Sequence, residues 1–231
     1  MSEVDLNSQI KEANIEKQKI IENPDSRRIL MIGTTGSGKT TLDRLLCDKI
    51  LEIDPENLEF KGDGIDSGSR SVTQTVDIKH QTFGNLCDCT GFFDTEGDEK
   101  QIINAIYIKQ LFQKVDNHDT RIKILFVISS QDIESCRGSA FKECLKIIEN
   151  MIPNKDELQK GIGLIISKAN KQSEVYLRNL KKNADDFRNQ WCDFFLLKKE
   201  HVFLFPQPVM IQNSIQHNFA DLEKIKDFIS N

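Results

Sequence analysis

The sequence predicts an α/β fold of three layers: a mostly parallel sheet of about six strands, one of them an antiparallel edge strand, between two layers of helices. Three observations predict it. From Arg28 onward, short apolar runs of strand length alternate with stretches of helical period. The pattern G-x-x-x-x-G-K-[ST] is met without mismatch by Gly33-Thr34-Thr35-Gly36-Ser37-Gly38-Lys39-Thr40, between one such run and one such stretch. Gly84-Asn85 follows an alternating run and can turn the chain back antiparallel.

Residues 1–26 carry Leu6, Ile10, Ala13, Lys17, Ile20 and Ile21 at three- and four-residue spacings and end at Asn23-Pro24. They predict one amphipathic helix ahead of the domain, packed on the domain itself or on a partner. Residues 27–231 then form a single domain, and a chain of 231 residues with 38% hydrophobic content can supply its core. Its first strand is Arg28-Ile29-Leu30-Met31-Ile32, and Thr41-Leu42-Asp43-Arg44-Leu45-Leu46 opens the first helix. Between them, the loop glycines allow backbone conformations in which successive N–H groups and the helix start face a phosphate. Lys39 is placed to reach the β- and γ-phosphates and the Thr40 hydroxyl to ligate Mg²⁺, with Lys39 lying outside the core.

Lys61 to Ser69 is a small-residue stretch without period, read as a loop. Ser71 to Lys79 alternates apolar and polar like a strand covered on one face, and Leu86-Cys87-Asp88 returns beside it. Ile102 to Phe112 has helical period, Ile122 to Ile128 is a buried strand, and Ile133 to Ile152 is a helix stopped by Pro153. Gly161 to Ser167 is the next strand. Residues 174–197 are mainly helical, with Trp191 and Phe194 in the core. His201 to Phe205 is the last strand, ended by Pro206 and Pro208, and Leu222, Ile225, Phe228 and Ile229 mark a closing helix. Strands alternating with helices in this way imply right-handed crossovers.

Composition excludes some classes of function. A net charge of −5 with dispersed basic residues lacks the footprint of a nucleic-acid binder. No apolar run approaches the roughly 20 residues that span a bilayer, so the expectation is a cytoplasmic protein with no transmembrane segment. The six cysteines, Cys47, Cys87, Cys89, Cys136, Cys144 and Cys192, lie inside apolar segments and read as reduced core thiols.

The order of the remaining motifs resembles the GTPase superfamily. Ser71-Val72-Thr73-Gln74-Thr75 resembles its first switch, whose threonine closes over Mg²⁺ and the γ-phosphate; Thr73 is the first candidate and Thr75 the alternative. A D-x-x-G motif follows, with two candidates, Asp88-Cys89-Thr90-Gly91 and Asp94-Thr95-Glu96-Gly97. The first leaves Asp88 at a strand end; the second would bury it unpaired inside the strand, at a cost of roughly several kcal/mol. Asp88 to Thr95 as a whole looks like the second switch of the septin-like and GIMAP/chloroplast-import (Toc) GTPases. That resemblance implies a three-layer P-loop GTPase domain, with Asp88 holding Mg²⁺ through water and the Gly91 N–H on the γ-phosphate. For the base, Asn154-Lys155-Asp156-Glu157 precedes its strand and ends in Glu, whereas Ser167-Lys168-Ala169-Asn170 follows a buried strand, where the family's [NT]-K-x-D belongs.

The implied nucleotide-binding set is therefore Gly33, Thr34, Thr35, Gly36, Ser37, Gly38, Lys39, Thr40, Thr41, Gly91, Ser167, Lys168 and Asn170. Lys39 and Thr73 are the implied catalytic groups, and Thr40, Thr73 and Asp88 the implied metal ligands. The expected ligands are GTP or GDP with Mg²⁺. Two departures bear on mechanism: Phe92 stands where a water-orienting Gln is found in Ras-like members, and Asn170 stands where the base motif has Asp. The first implies slow hydrolysis and, as in septin-like and GIMAP relatives, a homodimer across the nucleotide face. An assembly module with little turnover and an ATP-using phosphate-loop enzyme are the alternatives.

Overall fold

The computed structural model describes residues 27–49, 51–56, 58–61, 77–91, 108, 122–134, 139–151, 155–170, 175, 178, 186–211, 214–216 and 220–231. Within them the order is β1 (Arg28–Gly33), α1 (Lys39–Leu46), β2 (Glu52–Asp54), β3 (Glu59–Lys61), β4 (Asp77–Gln81), β5 (Gly84–Asp88) and β6 (Ile122–Ser129). There follow α2 (Ser130–Glu134), α3 (Ser139–Met151), α4 (Lys155–Gly161), β7 (Ile162–Ala169), α5 (Asp186–Leu197), β8 (Val202–Pro206), β9 (Val209–Ile211), β10 (Ser214–Gln216) and α6 (Ala220–Ser230).

Successive strand residues point to opposite faces, so a run apolar at every position needs cover on both sides. In β1, β6 and β7 that cover is present. Ile29, Met31, Leu125, Val127 and Ile165 face one way, onto Leu42, Leu45 and Leu46 of α1 and Ile225 and Ile229 of α6. Leu30, Ile32, Ile124, Phe126, Ile128, Leu164 and Ile166 face the other way, onto Phe141, Leu145 and Ile148 of α3 and Trp191 and Phe195 of α5. Each such side chain stabilises the fold by about 1.5–3 kcal/mol on burial, and none of this is available to a single layer.

The six strands lie in the order β4-β5-β1-β6-β7-β8. β5, β1, β6, β7 and β8 are mutually parallel, and β4 is the antiparallel edge strand, paired to β5 with Asp77 opposite Asp88 and Gln81 opposite Gly84. β1 is thus central, and the loop after it opens at the carboxyl ends of the parallel strands, where open α/β sheets bind ligands. Among the described residues no helix is long and apolar enough to cross a membrane.

Several boundaries differ from the sequence reading. The antiparallel turn is at Thr82-Phe83, two residues before Gly84-Asn85, because Gly84 already pairs in β5. Ile133 to Ile152 begins as the separate short helix α2, and α3 starts at Ser139. Lys155–Gly161, which takes in Lys155-Asp156-Glu157 of the rejected base motif, is helical, so the strand begins at Ile162. Pro206 is the last residue of β8 rather than its stop; β8 is an edge strand, where the missing N–H is tolerated. The hairpins β2–β3 and β9–β10 were not read from sequence, since three-residue strands show no usable period. Trp191 is buried, whereas Phe194 is only partly so. The expected helix over residues 1–26, the segment 71–76 with Thr73 and Thr75, the run 92–97 and most of the helix after Ile102 lie outside the described residues.

Candidate nucleotide site

The loop between β1 and α1 is built by close approach. A Cβ on Gly33 would stand 1.8 Å from the Val127 carbonyl oxygen of β6, so only glycine lets β1 end there. Gly38, at φ 86°, is the N-cap of α1, and its carbonyl accepts the Leu42 N–H at 3.0 Å. Lys39 is 6% exposed, and its Nζ donates to the Thr34 carbonyl at 2.8 Å and the Gly33 carbonyl at 3.5 Å. The expectation that Lys39 lies outside the core is therefore corrected. Its stem is buried, and its ammonium donates to the loop's own carbonyls and pulls electrostatically on the Asp88 carboxyl.

β5 carries the second half of the site. It ends at Asp88, buried at 2% exposure, and the Thr40 hydroxyl donates to Asp88 Oδ2 at 2.8 Å. Burial pushes the Asp88 carboxyl above the ordinary carboxylate range, against the opposing pull of Lys39 and the Thr40 bond. Three residues on, Gly91 lies against the phosphate loop: a Cβ there would meet Thr35 Oγ1 at 2.4 Å and its backbone N at 2.6 Å. Sequence spacing brings Asp88 and Gly91 together, but only the sheet order brings both to Thr35 and Thr40.

The donor set fits the expected ligands. The hydroxyls of Thr35, Ser37 and Thr90 are buried with no hydrogen-bond partner among the described residues, although such groups are ordinarily satisfied. Thr35 and Ser37 belong to the loop between β1 and α1, and Thr90 directly precedes the Gly91 that lies against Thr35. Thr40 and Asp88 offer the hard oxygen donors that Mg²⁺ takes, and a cation that keeps several waters needs few protein ligands. Among the described residues no group of three or more His, Cys, Asp or Glu forms a closed metal cage. Burial pushes the Cys87 and Cys144 thiols up to about 12, so neither is a nucleophile.

The third part comes from β7. Ser167, 2% exposed, donates from Oγ to the Ile128 carbonyl at 3.4 Å, and its Cβ would lie 3.8 Å from a Cβ on Gly38. Lys168 has φ 51°, and the pairing of β7 with β8 shifts register between Ser167 and Ala169. The strand therefore bends out beside the phosphate loop and leaves Asn170 exposed just past its end. Gly33 to Thr41, Asp88, Gly91 and Ser167 to Asn170 all fall at the carboxyl end of the parallel strands.

The structure adds two groups that sequence reasoning missed. Lys79 of β4, itself half-buried, forms an ion pair with the fully buried carboxylate of Asp43 of α1 and a second, at 3.1 Å, with the exposed Asp77. Burial works against the charge on Lys79, but its bonds to Asp43 and Asp77 outweigh this and raise its pKa; burial raises Asp43 in spite of Lys79. The second group is the turn after β6, where Asp132 accepts the Thr34 hydroxyl at 2.7 Å. Ser129 and Asp132 have capping-box spacing, a signal present in the sequence, but nothing local names Thr34 as the partner.

No family model matches the chain, and no curated protein matches it. Solved structures do resemble it. A variant of SsGBP shares 15% identity at a TM-score of 0.45, over 99% of this chain and 63% of that one, so the chain spans less than two thirds of that relative. Toc33 from Arabidopsis thaliana, in complex with GDP and Mg²⁺, shares 13% identity at a TM-score of 0.48, over 98% of this chain and 93% of that one. The fold itself is read from the strand order and pairing of the chain, an α/β sheet of five parallel strands and one antiparallel edge strand. The functional reading rests on its own residues.

Proposed function

We propose that the chain is a guanine-nucleotide-binding switch domain that uses Mg²⁺ and hydrolyses GTP slowly. The observation that carries this is the convergence of Gly91 on Thr35 beside the Thr40–Asp88 pair, at the mouth of a mismatch-free phosphate loop. Lys39 would turn from the loop carbonyls to the β- and γ-phosphates, and the backbone N–H groups of the loop would bind the remaining oxygens. Thr40 and Asp88 would hold Mg²⁺, with Thr73 as the expected third group; the cation supplies neutralisation of phosphate charge. The buried, reduced thiols of Cys87, Cys89, Cys144 and Cys192 suit a cytoplasmic protein.

Base selection turns on Asn170. Guanine presents two donors on the edge that a carboxylate would accept, whereas Asn offers one acceptor oxygen and turns its NH₂ toward a donor. The loss is about 1–3 kcal/mol, roughly one to two decades in affinity. Xanthine carries a carbonyl in place of the amino group and loses less. Asn170→Asp is expected to tighten GTP binding and weaken XTP binding. Competition among GTP, XTP and ATP for both proteins, with and without Mg²⁺, checks this. Unchanged GTP affinity in the variant would remove Ser167 to Asn170 from the base site, tighter ATP than GTP binding would favour the ATP-using alternative, and indifference to Mg²⁺ would remove the metal role.

Phe92 motivates a second reading, in which a second copy completes the site across the nucleotide face and the nucleotide serves assembly. Turnover per molecule is then expected to be low at nanomolar protein and to rise with concentration. A specific activity that is high when dilute and flat on concentration would rule the dimer out.

A further inference from the structure

The turn after β6 is tied to both halves of the proposed site by side chains that contact no part of it through a shared element. Ser129 caps α2, its Oγ accepting the Asp132 N–H at 3.0 Å, as the first residue of a capping box does. In that box the acidic residue ordinarily bends back to the N–H of the cap. Asp132 also takes two hydroxyls on one oxygen: Ser129 Oγ at 2.8 Å and Thr34 Oγ1 at 2.7 Å, the latter 98 residues away. Ser130, 3% exposed, donates from Oγ to the Lys168 carbonyl at 2.8 Å. Lys168 is in the left-handed region at φ 51°, a conformation that side-chain-bearing residues keep only where their surroundings hold it.

We propose that Asp132 and Ser130 are positioning residues of the nucleotide site. Asp132 holds the phosphate loop at Thr34, Ser130 holds the base-reading loop at Lys168, and the turn between them sets the distance that one nucleotide must span. This rests on reading Gly33 to Thr40 and Ser167 to Asn170 as the phosphate and base halves of one site. The two bonds have separable consequences. Freeing Thr34 loosens the grip on phosphate whatever the base, whereas freeing Lys168 blurs discrimination between bases.

Equilibrium binding of GDP and of ADP to the full chain and its variants tests this, with melting of the ligand-free proteins recorded alongside. Asp132→Ala and Thr34→Val are each expected to weaken GDP and ADP by one common factor of about tenfold, and Asp132→Asn, which keeps an acceptor, to recover most of it. Ser130→Ala is expected to lower the GDP-over-ADP preference about fivefold. Should Asp132→Ala fail to fold, Thr34→Val reads the same bond from its other end. Variants that melt earlier but bind both nucleotides with the parent's affinities and preference would overturn the proposal and leave the nucleotide reading standing. A parent that binds neither GDP nor GTP would overturn that reading and the proposal with it.

Discussion

Lys39→Ala is expected to lower GDP and GTP affinity by about one and a half to three and a half decades while the domain stays folded. Truncating one partner of a desolvated, hydrogen-bonded charge pair costs about 2–5 kcal/mol, and each 1.4 kcal/mol is about a factor of ten. The cost falls on the bound state, because phosphate charge loses its compensating ammonium. The ligand-free protein loses the charge-assisted bond of Lys39 to the Thr34 carbonyl, about 1.5–3 kcal/mol, the longer contact with Gly33 and some packing of the buried stem, and is relieved of desolvating the ammonium. Lys39→Met keeps that stem and separates packing from charge. Calorimetric titration of GDP, with thermal melting of the free proteins, measures both. Equal affinity in parent and variants would end the phosphate-loop assignment.

Lys79→Met is expected to produce the largest loss of stability. Lys79 is the cation paired with the carboxylate of Asp43, whose side chain is fully buried in α1, and removing one partner of a buried pair costs about 3–5 kcal/mol. For a domain of this size that is a fall of about 6–20 °C in melting temperature. The pH dependence has a definite sign. Burial already raises the Asp43 pKa, and without Lys79 the carboxyl takes up a proton more readily still. A carboxyl whose folded pKa exceeds its unfolded value contributes stability that is full below the unfolded pKa and is lost as pH rises through the folded one. The deficit of Lys79→Met is thus smallest in acid and grows toward neutral pH. Adding Asp43→Leu to the variant is expected to restore much of the loss. Urea melts of the parent and both variants at two pH values would detect it; a Lys79→Met midpoint equal to the parent's at neutral pH would show that Asp43 is compensated otherwise.

These two residues differ in how far each was legible beforehand. Lys39 is defined by its neighbours: glycines at fixed offsets, a strand before and a helix after, all within a dozen residues, so the chemistry is written in one short stretch. The same holds for the two-faced β1, β6 and β7, whose unbroken apolar runs demand helices on both sides wherever the strands lie. Asp43 looked like an ordinary polar residue on a helix. Its partner is 36 positions away on a strand that the sequence placed only roughly.

The amino-acid sequence by itself determined the layer architecture, the strand, loop and helix around Gly33 to Thr40 and the strand-end position of Asp88, because each follows from periodicity or from local backbone demands. Only the tertiary structure decided which side chains those demands bring together. It set Thr35 against Gly91, paired Thr34 with Asp132 and Asp43 with Lys79, and laid the Lys39 ammonium over its own loop. The reason is physical. A buried polar group needs a partner, but any strand that the sheet order places alongside can supply one, and that order is chosen by the packing of the whole core rather than by residues near the group.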